Sequence, residues 1–117
     1  MRSRNMLLAS EGAAEVVRRN DNILFYTSFI LDLVEDHRLE AAADLAHHYS
    51  SIVAGKISSV SGPDQYTVLL HRIKRSLSDI QSGTFPQNDT SYVRRTIKQI
   101  SPFIEAENAE LRKSYGL

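Results

Sequence analysis

The apolar residues of this chain recur at helical spacing along almost its whole length, and that periodicity confines it to an all-α architecture. The pattern is cleanest from Leu39 to Val53, where Leu39, Ala42, Ala46, Tyr49 and Val53 follow at alternating steps of three and four. Such steps lay all five side chains on one face of a helix. Two later segments repeat it. Tyr66, Leu69 or Leu70, Ile73, Leu77 and Ile80 form one stripe, and Val93, Ile97, Ile100 and Ile104 form another.

Before them lies Ile23 to Asp36, where Ile23, Tyr26, Ile30, Leu33 and Val34 keep helical spacing while Leu24, Phe25, Phe29 and Leu31 cover much of the remaining circumference. A helix that is apolar nearly all round is a central one or the seam of an oligomer. The run Ile23-Leu24-Phe25-Tyr26-Thr27 is also strand-prone, so a strand is the competing reading at this one place. A weaker segment from about Ser10 to Arg19 precedes it, separated by Asn20-Asp21-Asn22, residue types that favour turns and helix N-caps.

Punctuation fits the same scheme. Asp36 is placed to cap the helix that begins at Leu39, and Gly55 or the run from Ser58 to Pro63 ends it. Ser61 can cap the next helix, with Pro63 in the first turn, where its missing N–H costs nothing. Gly83 suits the C-terminal cap of that helix. The last segment begins near Asp89, and Pro102 either starts a new helix after Ser101 or kinks a long one. The expectation is one domain over residues 1–117, a single helical bundle of four to five helices with short loops, with residues 1–9 as a loose arm.

Chain length and composition narrow the function. The 117 residues suffice for one modest core. With hydrophobic residues at 42% and charged residues at 24%, the chain is ordinary for a globular protein. There is no cysteine, which removes disulfides, thiolate metal sites and cysteine nucleophiles. Arg2 and Arg4 before Met6-Leu7-Leu8 could open a targeting signal, but the apolar stretch ends at Ser10-Glu11-Gly12. The longest apolar region, Ile23 to Val34, falls short of the roughly 20 residues a membrane span needs. These features read as a cytoplasmic protein with no membrane partner.

No enzymatic constellation assembles. Asp44 and His47 stand three apart on one helix face with Glu40 one turn earlier, a spacing by which bundles hold metal, but no second such motif accompanies them. The stretch from Ala46 through His47, His48 and Tyr49 to Gly55 resembles the phosphorylation motif of histidine-phosphotransfer bundles. That resemblance implies phosphotransfer through His47 or His48, although Ser50 and Ser51 stand where the family has a basic residue and glycine. No serine sits in a Gly-flanked nucleophile elbow, and no Gly-rich phosphate motif precedes a helix. The chain reads as a non-enzyme with no cofactor and no metal.

Charge is balanced but segregated. Lys and Arg together number 14, as do Asp and Glu. The acids Asp21, Asp32, Glu35, Asp36, Glu40 and Asp44 crowd the first half, whereas Arg72, Lys74, Arg75, Arg94, Arg95 and Lys98 crowd the second. On a helix Arg94, Arg95 and Lys98 can share a face able to meet phosphates. The words Thr90 to Ile100 resemble the recognition helix of bacterial helix-turn-helix regulators, which implies DNA binding with Arg94, Arg95 and Lys98 on the backbone. The loop from Gly83 to Thr90 is longer than that family's tight turn.

The aromatic residues favour a different reading. Phe25, Tyr26 and Phe29 crowd one segment of a chain too short to bury every such ring. Apolar surface left over is a partner site or a self-association seam. The function expected is therefore a small helical regulator, adaptor, chaperone or inhibitor that binds another protein through Phe25, Tyr26 and Phe29, with homodimerisation favoured over a monomer. DNA binding is the alternative.

Overall fold

The computed structural model describes the backbone of residues 4–60 and 64–117, and the side chains of those from Ser10 onward. They form four α-helices: α1 (Arg4–Glu35), α2 (Leu39–Ser59), α3 (Gln65–Ser82) and α4 (Thr90–Tyr115), with a one-turn 3-10 helix at Gln87–Asp89 leading into α4. Each helix packs on the next in the chain, and α4 closes the ring against α1. The result is an up-down-up-down bundle with α1 and α4 antiparallel, the topology that short loops enforce. It measures 53 × 26 × 20 Å, and the 32 residues of α1, about 48 Å of helix, account for most of its length.

The core forms where the four stripes meet. Ile23, Ile30, Leu31 and Val34 of α1, Val53 of α2, Leu69, Leu70, Ile73 and Leu77 of α3, and Val93, Ile100 and Ile104 of α4 are all buried. Each contributes roughly 1.5–3 kcal/mol of transfer free energy. Ala42 and Ala46 of α2 are fully buried as well. No helix among the described residues is long and apolar enough to cross a membrane.

Several local expectations are corrected. The interruption at Asn20-Asp21-Asn22 does not exist: α1 runs through it and fuses two expected segments, which puts the bundle at four helices, within the four to five expected. The strand-prone run from Ile23 to Thr27 is likewise helical. Of the two ends expected for α2, Gly55 is passed over and the helix stops at Ser59, inside the run that begins at Ser58. Asp36 does not cap α2; Arg38 holds the N-cap position and gives no side-chain bond. The Ser61 cap and Pro63 lie outside the described residues. Asp64 caps α3 instead, accepting from the Thr67 backbone N–H at 2.9 Å. The start of α4 after Asp89 is as expected. Pro102 divides nothing, because α4 is continuous through it. The proline sits on the exposed side, where the Lys98 carbonyl that loses its partner can turn to water.

Two helices end by the same device with different residues. After α3, the Gly83 N–H donates to the Ile80 carbonyl (3.2 Å) and Thr84 N–H to Asp79 (2.9 Å), with Gly83 at φ 75°. After α1, the His37 N–H donates to Val34 (3.0 Å) and Arg38 N–H to Leu33 (2.9 Å), with His37 at φ 60°. This is the Schellman pattern, whose left-handed residue is usually glycine because a Cβ there meets the backbone. His37 is exposed and holds that conformation at a cost of about 1 kcal/mol. Replacing His37 with glycine should therefore raise stability by about 0.5–1 kcal/mol in urea denaturation, whereas Gly83→Ala should lower it by about 1 kcal/mol.

Candidate functional site

The residues misread as a turn are the anchor of α1. Asn20 is fully buried, and its Nδ2 donates to Asn108 Oδ1 at 2.9 Å and to Glu107 Oε1 at 2.5 Å, both on α4. Asn108 Nδ2 returns a bond to Asp21 Oδ1 at 3.0 Å. The same Glu107 oxygen accepts from Lys56 Nζ of α2 and, at 3.3 Å, from the Tyr66 hydroxyl of α3. One carboxylate thus gathers donors from the other three helices. Burial, with the Glu107 carboxylate beside it, holds the Tyr66 hydroxyl protonated well above its ordinary range, so it remains a donor. Lys56, its side chain only 8% exposed, also lies 5.7 Å from the Tyr66 ring centre, close enough for cation–π attraction. With its amide nitrogen committed to Glu107, Asn20 must turn its Oδ1 away, and that atom is buried without a partner.

A second clamp holds the other end of α1. Arg94 of α4 donates through Nη2 to Asp32 and Glu35, both at 2.7 Å, and through Nε to Glu35 at 3.1 Å. Hydrogen bonding from Arg94 holds the Glu35 carboxyl below its ordinary range. The segregated acids of the first half and bases of the second therefore meet here within one chain. Of the three cations proposed to share a phosphate-facing surface, Arg94 faces α1 and is spent on carboxylates. Arg95 and Lys98 are exposed and make no ion pair among the described residues.

Between the two clamps lie the aromatic candidates. Tyr26 is half-buried and stacks on Tyr49 of α2, ring centres 4.6 Å apart and 16° from parallel. Phe25 and Phe29 flank it edge-on, at 4.9 and 6.5 Å. Both reach the surface, Phe25 at 63% exposure and Phe29 at 41%. Tyr26 is thus the mount and the two phenylalanines are the exposed face. Beside them a groove of about 490 Å³ runs between α1 and α4, with Leu24 and Ile97 in its apolar lining and Asp21 and Asp32 at its ends.

The remaining candidates stay apart. His47 is exposed and takes a hydrogen bond at Nδ1 from Gln81 of α3 at 2.7 Å. His48 is exposed, its ring edge-on to Tyr49. Glu40 and Asp44 are exposed on α2, and among the described residues no group of three His, Asp or Glu side chains is gathered for a metal. Sequence reasoning passed over Glu107, Asn108 and Lys56. The signal for Asn108 was present: it continues the stripe of Ile100 and Ile104 by one more step of four.

Comparison of the chain with protein-family models, with curated proteins and with solved structures finds no match in any of the three.

Two stability outcomes follow from this geometry. Lys56→Met leaves Glu107 without its cation and should cost about 2 kcal/mol in urea denaturation. The double change with Glu107→Met should recover none of that loss, because the Asn20 amide and the Tyr66 hydroxyl then lose their shared acceptor as well. At the other clamp, Glu35 titrates below its usual value of 4.5, so its stabilisation is complete above that pH and is lost as pH falls through the lower folded value. Arg94→Met should flatten the acid limb of the stability–pH curve while leaving its slope near neutrality unchanged.

Proposed function

We propose that this chain is a non-enzymatic helical protein that works by binding another protein through the outer face of α1, as a regulator, adaptor, chaperone or inhibitor. The observation that carries the reading is the pair Phe25 and Phe29, exposed yet fixed in place by Tyr26. Large apolar rings cost free energy when left in water, and rings already held in one orientation lose little entropy when covered. An apolar centre with a charged rim is the anatomy of a protein interface. Here the rim includes Asp21 and Asp32, so a partner helix with apolar side chains flanked by cations is the complement.

Arg95 and Lys98 supply the charge for nucleic acid in the alternative reading, but Arg94 contributes little to it while bound to Asp32 and Glu35. The test is a photo-crosslinking side chain placed at position 25 in the native cell, with Gln99 as the control position. The reading predicts a discrete protein adduct at 25 and none at 99. Phe29→Ser should weaken the reconstituted complex by about tenfold, and Arg95→Ala should leave it unchanged. Equal, diffuse labelling at both positions would contradict the reading.

A further inference from the structure

The outer face of α1 has an order that the proposed function does not use. Arg18, Asn22, Phe25, Phe29 and Asp32 of α1, and Asp36 just past its end, where the Asp36 N–H still donates to the Asp32 carbonyl, follow at steps of four, three, four, three and four, the spacing of a coiled-coil seam. This stripe lies opposite the core stripe of α1. Five of its six residues are exposed and Asn22 is partly so. Turned end for end, the stripe matches itself: Arg18 falls on Asp36, Asn22 on Asp32, and Phe25 on Phe29. A cation meets an anion, an amide donor meets a carboxylate, and ring meets ring.

We infer that the occupant of this face is a second copy of the same chain, its α1 antiparallel to the first about a two-fold axis between Phe25 and Phe29. The inference rests on the reading of this face as a protein contact, and it names the partner. Two-fold pairing requires a self-complementary patch, and the charges provide one. Among the described residues Arg18 is held only by Glu15 on its own helix, an exposed pair at 2.6 Å that competes weakly. Asp36 makes no ion pair among the described residues. Asp32 binds Arg94 yet remains 60% exposed, leaving its second oxygen for the partner's Asn22. The seam from Arg18 to Asp36 runs about 27 Å, with both phenylalanine pairs at its centre, where interface energy concentrates.

Sedimentation velocity over a concentration series tests this. The wild-type chain should move from monomer to dimer, and Phe25→Asp should abolish the dimer while the circular dichroism stays that of the wild type. Arg18→Glu sets acid against acid at both ends of the seam, and Asp36→Arg sets base against base, so each alone should weaken self-association at least tenfold. Mixed in equal amounts, these two variants restore both ion pairs and should form a heterodimer within about threefold of the wild-type affinity. A monomer at every concentration, or a mixture no tighter than either variant alone, overturns the inference. With that result, an adduct to a different protein at position 25 would leave the broader reading standing, whereas no adduct would remove both.

Discussion

The Glu107 carboxylate is the point on which the arrangement of this bundle depends. Apolar stripes attract one another without much regard to sliding, since Leu against Ile one turn along is nearly as good as in register. Buried polar groups are not so tolerant, because a shift of one turn would leave Asn20, Lys56 or Asn108 desolvated and unbonded, at about 1–3 kcal/mol each. Asn20 facing Asn108 across two antiparallel helices is the arrangement by which a polar residue in an apolar seam specifies register. Lys56 and Tyr66 extend that specification to α2 and α3.

Register then determines the surface. With Asn20 held inward at one point of α1 and Asp32 and Glu35 held by Arg94 about three turns later, the rotation of the intervening helix is fixed. Tyr26 is directed onto Tyr49, and Phe25 and Phe29 are directed away from the core. Their exposure is therefore a consequence of polar contacts elsewhere on the same helix. The outer stripe owes its straight course to the same cause, since a break at Asn20 would have separated Arg18 from the rest of it.

The helical stripes of α2, α3 and α4 could be read directly from the sequence, because burial in a bundle follows the helix repeat: Ala42, Ala46, Tyr49 and Val53 are buried as their spacing implies, while Leu39, in the first turn of the same stripe, is exposed. Gly83 was legible as a cap because the left-handed conformation favours its residue type. Asn20-Asp21-Asn22 was not, for a physical reason. Local propensity describes how such side chains satisfy backbone groups nearby, whereas the partners of Asn20 and Asp21 lie 87 and 88 residues away. His37 hid the end of α1 in the same way, a left-handed residue without the glycine that usually marks it. Of the candidate face, Phe25 and Phe29 were identifiable from aromatic crowding alone, but the role of Tyr26 as their support depended on Tyr49 across the helix interface.

The central claim is that α1 is one continuous helix anchored at its middle by buried polar contacts, and backbone amide hydrogen exchange across residues 18–26 tests it most directly. The account predicts that these amides exchange as slowly as those of Ile100 and Ile104 in the core, since opening them requires breaking the Glu107 cluster. Fast exchange confined to Asn20, Asp21 and Asn22 would contradict it. That result would mean a hinge in α1, a free rotation of the segment carrying Phe25 and Phe29, and no fixed outer face.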